Sequence, residues 1–197
     1  MIVDIRAAGV DRAPILASLC GRAFFEDPML RWPLPADDDA PIDSTTKCFE
    51  AVLHAYAGAG LLFEAGDAAG MAVWVPPDRL SVFEAMDALS RSAIRPLTDD
   101  GGARYDRFWD WLGAHATAEP VWFLDIVAVD EPYRGSGIGT ALVRFGLEQA
   151  RATGAAAFLE TSNPRNVPYY ERLGFHVTED ADAPEGGPHI WFMRFEP

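Results

Sequence analysis

One segment concentrates residues able to hold an anion: Arg134-Gly135-Ser136-Gly137-Ile138-Gly139-Thr140, reached from the apolar run Val121–Val129 through Asp130-Glu131-Pro132-Tyr133. Glycines let a backbone turn tightly and approach a ligand, and successive N–H groups then converge on negative charge. A helix starting here adds its N-terminal dipole, and Arg134 adds a full positive charge. The chemistry predicted is a phosphate or pyrophosphate cradle. By itself a GxGxG also suits a ligand-free strand-to-helix turn, in a chain with 17 glycines. A nicotinamide-binding turn finds support in Glu160, about 20 residues on, where a ribose-binding acid belongs. Against it stand the GxGxG spacing, Arg134 ahead of the glycines, and only about sixty residues after the turn, too few for a doubly wound sheet. A P-loop is excluded because no Lys-Ser/Thr follows the glycines.

The elements that must position this turn can be read along the chain. Val121–Val129 is nearly continuously apolar, as for a strand covered on both faces. A helix from about Gly139 to Arg151 follows, then a strand over Ala155–Glu160. Asn163-Pro164 predicts an N-cap and first-turn proline for a short helix ending near Gly174. Closing strands fall near Phe175–Val177 and His189–Phe195. Upstream, Ile2–Arg6 alternates like a first strand, and Ile15, Leu16, Leu19 and Ala23 mark a helix. Pro28, Pro33, Pro35 and Pro41 predict turns. Cys48, Phe49, Val52, Leu53, Ala55 and Tyr56 mark a second helix, ended by Gly58 and Gly60. Leu61–Glu64 and Met71–Val75 read as a hairpin around Ala65-Gly66-Asp67. Ser81-Val82-Phe83-Glu84 fits a capping box opening a third helix. Tyr105, Phe108, Trp109 and Leu112 form one face of a fourth, expected as core rather than ligand wall.

Bulk properties narrow the function. At 197 residues and 49% hydrophobic, the chain suits a single domain over 1–197 with a substantial core. The net charge of −14 argues against nucleic acid and is compatible with a cationic small molecule. Met1–Phe25 has no apolar stretch of a secretory signal, and no run is long enough to span a bilayer. Cys20 and Cys48 fit buried thiols in a reducing compartment, so a cytoplasmic location is expected. His54, His115, His176 and His189 form no metal-ligand spacing, and no metal is expected. Nothing in the sequence sets the oligomeric state, monomer or homodimer.

Two motifs in this order, Val129-x4-Arg134-Gly135-x-Gly137-Ile138-Gly139 and Asn166-x3-Tyr170-Glu171-Arg172-x-Gly174-Phe175, resemble the GNAT superfamily of N-acetyltransferases. Within it, Glu119–Leu124, Phe158–Ser162, Pro164–Asn166 and Tyr170–Phe175 are similar to the puromycin N-acetyltransferase branch. Arg134 and Asp125 depart from that branch, as does most of the first 110 residues. The resemblance implies a mixed α/β fold, a largely antiparallel central sheet flanked by helices, that uses acetyl-CoA as co-substrate. It implies that Val121–Val129 splays from the strand bearing Phe158, leaving a slot for pantetheine. Val127, Ala128 and Val129 would line that slot, with backbone of Val127 and Val129 pairing pantetheine amides and the Val127 N–H facing the thioester oxygen. N–H groups from Gly135, Ser136, Gly137, Ile138, Gly139 and Thr140 would hold the pyrophosphate, with Arg134.

Tyr170 matches the family's proton donor to the departing thiolate, with Tyr169 as the packing neighbour. Asn166 would share a helix face with Tyr170 near pantetheine, or else serve a helix-start hydrogen bond. The acceptor amine must lose a proton, and Glu160 is the first candidate base, its pKa raised by burial. Asp125, a lone carboxylate in an apolar strand, is the second. Either could be a hydrogen-bonding residue alone. The family acceptor wall maps to Phe24–Pro41 and Pro184–Ile190. There Glu26, Asp27, Asp37–Asp39, Trp32 and Trp191 suggest a small cationic, partly aromatic amine. Acetylation of a protein N-terminus or lysine, and a catalytically inactive coenzyme A-binding module, are the alternatives.

Overall fold

The computed structural model describes residues 3–35, 39–79, 81–117 and 119–197. Ile2 of the expected first strand, Asp37 and Asp38 of the acidic run, and the Glu84 side chain of the expected capping box lie outside the described residues. In chain order the elements are β1 (Ile5–Ala7), α1 (Ala13–Phe24), α2 (Pro28–Arg31), α3 (Pro41–Gly58), β2 (Leu62–Ala65), β3 (Gly70–Val75), α4 (Ser81–Ile94) and α5 (Ala103–His115). They continue as β4 (Trp122–Val129), α6 (Ile138–Thr153), β5 (Ala157–Thr161), α7 (Val167–Glu171), β6 (Phe175–Asp182) and β7 (His189–Phe195).

Among the described residues the seven strands form one sheet in the order β1-β2-β3-β4-β5-β7-β6. Every neighbouring pair is antiparallel except β4 and β5. That parallel pair sits at the centre, so both strands are covered on two faces and are apolar at most positions. Helices α1, α3 and α5 cover one face, where Leu16, Leu19, Leu53, Phe108 and Ile126 share a core. Helix α6 covers the other with Leu142, Val143 and Leu147 packed against Ala72 and Trp74.

The α6 stripe Leu142, Val143, Leu147 and Ala150 follows a helical period, and the helix ends at Gly154 with φ 66°. Gly146 allows α6 to lie directly on the sheet, since a Cβ there would stand 2.0 Å from the Trp74 ring. The Trp74 indole donates to the Leu142 carbonyl at 3.1 Å. Left unpaired, that buried N–H would cost about 1–3 kcal/mol.

Three elements differ from the expectation. Pro28–Arg31 is a helical turn, opened by Asp27 accepting from the Met29 N–H at 2.9 Å. α3 starts at Pro41, where a first-turn proline is compatible with a helix. β6 continues through Thr178–Asp182, an edge strand whose outer residues are polar and exposed. Among the described residues no helix is long and apolar enough to cross a membrane.

Candidate active site

β4 and β5 pair only at Trp122↔Ala157 and Phe123↔Phe158, and beyond that step no partner registers between them. The two strands splay, leaving the later edge of β4 without its neighbour. Asp130 donates its N–H to Ala69 on the β3 side, at 3.0 Å. Alternation along a strand therefore turns the N–H and C=O groups of Val129 and Val127 to the opposite edge, into the splay. β4 also carries a one-residue bulge. Val73 pairs Ile126 while Trp74 pairs Leu124, so Asp125 has no partner in β3. An unpaired bulge residue is free to re-aim its side chain. The Asp125 carboxylate accepts the Tyr56 hydroxyl of α3.

Two cavities flank this point. The larger, about 460 Å³, lies among α3, α4, α5 and the sheet, and Asp125, Glu160, Phe123, Phe158 and Phe192 contribute to its wall. The smaller, about 170 Å³, occupies the splay, with Leu124–Val127, Thr161, Ser162, Asn166 and Tyr170 around it. Asp125 and Glu160 line both. Phe158 and Glu160 are two residues apart on β5, so they project from one face of the strand.

Enclosure sets the protonation of these groups. Burial pushes Glu160 up to about 8, with the charge of Asp125 adding to the effect. Burial raises Asp125 to about 6, partly offset by the Tyr56 hydrogen bond. Tyr170 is 7% exposed, and burial raises its phenol, with Tyr169 and Asp27 adding. Tyr170 therefore holds its proton at neutral pH.

The two tyrosines take different directions. Tyr169 hydrogen-bonds Thr140 and stands close to Gly139, against the start of α6. Tyr170 faces the smaller cavity. The Asn166 side chain donates to the Thr161 hydroxyl at 3.1 Å and caps nothing. The helix it precedes starts at Val167, later than Pro164, while Asn163 accepts from the Arg165 N–H at 3.0 Å as a turn.

In the glycine turn, Gly135 and Gly137 have φ of 79° and 91°, a conformation costly for any residue with a Cβ. The first N–H of α6 to bond back is that of Ala141, to the Gly137 carbonyl at 2.9 Å. The N–H groups of Ile138, Gly139 and Thr140 precede it and have no carbonyl four residues earlier within the helix. A Cβ on Gly139 would crowd Val129 at 3.3 Å and Tyr169 at 3.4 Å, narrowing the space between turn and strand. Ser136 spends its hydroxyl on the Tyr133 carbonyl, at 2.6 Å. Arg134 is exposed, with its Nε 3.5 Å from the Val129 carbonyl, and remains near the turn. A splayed slot ending in bare N–H groups, with a protonated phenol and two carboxylates along it, fits a long thioester carrying a pyrophosphate.

Comparison with known proteins gives the family. The model of the Acetyltransferase (GNAT) family matches residues 23–175. The chain belongs to this family. This GNAT chain is 27% identical over 165 residues to an uncharacterised N-acetyltransferase of Schizosaccharomyces pombe, over 78% of its own length and 66% of that protein's, just under two thirds. A segment of 56 residues is 38% identical to the glucosamine 6-phosphate N-acetyltransferase of Trypanosoma brucei brucei, covering 28% of this chain and 38% of that enzyme. A solved structure described as histone acetyltransferase HPA2 and related acetyltransferase from Corynebacterium glutamicum matches with TM-score 0.71 and 26% identity, over 100% of this chain and 97% of that one.

The two halves of the expected acceptor wall fall differently. Phe24, Asp27, Met29 and Leu30 of Phe24–Pro41 line the smaller cavity with Glu160, Pro184–Ile190 lines neither cavity, and α4 and α5 form much of the larger one. Trp32 packs on Phe108, with ring centroids 5.9 Å apart, and Trp191 packs on His189. Asp27 is tied to the Ser162 hydroxyl at 3.1 Å beside the smaller cavity, while Glu26 and Asp39 are exposed. The aromatic face of α5 is core as expected. Tyr105, Phe108 and Leu112 are all buried, and Tyr105, Trp109 and Leu112 also border the larger cavity. The helix expected to open at Ser81 is α4, and its Phe83, Met86 and Ser90 also border that cavity, a place the sequence did not assign to them. Their helical spacing was visible, but nothing local said which face would meet a cavity.

Proposed function

We propose that this chain transfers the acetyl group of acetyl-CoA to a primary amine of a small molecule, by direct attack in a ternary complex. The observation that carries the reading is that Asp125 and Glu160 line both cavities, where a thioester in one would meet an amine in the other. The turn from Gly135 to Thr140, with Arg134, would hold the pyrophosphate, and the edge of Val127–Val129 the pantetheine amides. Bound there, the thioester supplies an activated acetyl group.

The acceptor arrives as an ammonium ion, and Glu160 takes its proton directly or through water once the carboxyl is ionised. Asp125 raises the affinity of Glu160 for that proton. The amine nitrogen then bonds to the acetyl carbon as the carbon–sulfur bond breaks, and Tyr170 shares its phenolic proton with the departing sulfur. The Val127 N–H donates to the carbonyl oxygen as its charge grows. In balance, ammonium and thioester give amide, thiol and one proton.

Likeness to the puromycin N-acetyltransferase branch makes a puromycin-like aminonucleoside one acceptor to try, alongside other cationic amines. The larger cavity, about 460 Å³ and walled by α4, α5 and the sheet, suits a small molecule better than a protein N-terminus or lysine. The experiment is thiol release from acetyl-CoA with a panel of amines and of N-terminal and lysine peptides. Faster release with small amines is expected, and preference for peptides would replace this reading with the protein-acetylating one.

A further inference from the structure

The wall of the larger cavity is specific enough to say more about the acceptor, resting on the reading of that cavity as the amine site. Four phenyl rings form a continuous row along the sheet face. Phe83 meets Phe123 edge-on at 4.8 Å, Phe123 stacks with Phe158 at 6.1 Å, and Phe158 with Phe192 at 6.3 Å. Phe123 and Asp125 are two residues apart on β4, and Phe158 and Glu160 two apart on β5. The rings therefore stand one strand step before the carboxylates, about 7 Å along each strand.

The charges of this cavity point the same way. Arg91 is the only basic residue among the described lining, and its guanidinium is already committed. It bonds Asp87 at 2.8 Å, Asp106 at 3.2 Å and Asp110 at 2.8 Å. A phosphate or carboxylate on the acceptor would find no spare cation there, and would meet Asp87, Asp110 and Glu119 around the same cavity. A sugar laid on the phenyl row would leave the hydroxyls on that side without hydrogen-bond partners, which is costly.

We infer that the acceptor is a primary amine on a flat, apolar aromatic body, joined by a linker of about two or three carbon atoms. The aromatic body lies on the Phe123–Phe158 step, under Phe83, while the nitrogen reaches Asp125 and Glu160. Aromatic faces prefer such offset or edge-on partners. Phosphorylated amino sugars and unbranched polyamines are excluded as preferred acceptors, because neither covers the phenyl row.

The test compares 2-phenylethylamine, tryptamine and 3-phenylpropylamine with benzylamine, spermidine and glucosamine 6-phosphate. Two readouts are used on the full chain: thiol release from acetyl-CoA, and calorimetric binding of each amine alone. The arylalkylamines are expected to bind more tightly and to give kcat/KM at least tenfold above spermidine and the sugar phosphate. Phe83→Ala should raise KM for them about tenfold, with little change for spermidine, and Phe83→Tyr should restore most of the loss. Phe83 is half-buried at the cavity border, so a thermal melt shows that these variants fold. If spermidine or the sugar phosphate is the better substrate, or Phe83→Ala affects all amines alike, the inference is overturned while acetyl transfer stands. If arylalkylamines bind but no thiol is released, acetyl transfer fails and the aromatic site survives. If none of the amines binds or reacts, both fall.

Discussion

Replacing Asp125 by asparagine should move the acid limb of the pH–rate profile downward. Glu160 is raised to about 8 first by burial and second by the charge of Asp125, while Asp125 itself sits at about 6. Between those values Asp125 is ionised and Glu160 still carries its proton, so the base becomes available only as pH rises through about 8. In wild type, kcat/KM should therefore climb with pH to a plateau above that value, the limb belonging to the pair. Of the rise of Glu160 from its ordinary 4.5 to about 8, burial is the larger cause, so the charge of Asp125 accounts for less than half, on the order of one pH unit. Asparagine removes the charge and keeps an oxygen that can accept the Tyr56 hydroxyl, while burial of Glu160 persists. The limb should drop by about one unit yet stay above an ordinary glutamate. The assay is thiol release at saturating acetyl-CoA from pH 5.5 to 9.5, in buffers of constant ionic strength. A limb that stays in place or moves upward would show that Asp125 does not set the proton affinity of the base. A limb that disappears in the asparagine variant would make Asp125 the base itself.

Glu160→Gln should lower kcat by about 10²–10⁴-fold and abolish the limb, read in the same assay. It should also stabilise the fold at high pH. Folded Glu160 keeps a proton that the unfolded chain releases between its ordinary 4.5 and about 8, so wild-type stability falls as pH rises through that window. Thermal melts at pH 9 should favour the glutamine variant by up to about 5 kcal/mol, and at pH 4 by almost nothing. Tyr170→Phe should lower kcat by about 10²–10⁴-fold with acetyl-CoA affinity nearly unchanged, and Tyr169→Phe should be milder; the reverse order in kinetics would reassign the proton donor. Gly137→Val should abolish acetyl-CoA binding by calorimetry in a protein that still melts cooperatively, because its φ of 91° and its place in the turn both exclude a branched side chain. Gly146→Ala should lower stability by about 1–3 kcal/mol or more, checked by denaturant titration, because the added methyl meets the Trp74 ring.

Much of this architecture is legible in the sequence, and the illegible part has physical causes. The apolar run Val121–Val129 announces a central strand because a strand covered on both faces cannot alternate. The glycine turn and the helix after it are visible because left-handed backbone and a helical stripe each leave a mark in residue type. β6 is shortened in the sequence reading because Thr178–Asp182 stands at the sheet edge, where polar residues read like loop. The bulge at Asp125 leaves no local signal, being a mismatch between two strands about fifty residues apart. For the same reason the sequence leaves Asp125 and Glu160 as separate candidates, and only the splay places both beside the same two cavities. The resemblance placed the acceptor wall at Phe24–Pro41 and Pro184–Ile190, and no local signal marked α4 and α5 as bordering the larger cavity.

The claim at the centre is direct transfer across the meeting point of the two cavities, without an acetylated enzyme. The most direct measurement is bisubstrate kinetics with acetyl-CoA and 2-phenylethylamine, joined to the intact mass of the protein after incubation with acetyl-CoA alone. Direct attack predicts intersecting double-reciprocal lines, an unmodified protein mass, and one thiol released per amide formed. Parallel lines, together with an acetyl group retained on the protein, for example on Cys48 beside the smaller cavity, would contradict it.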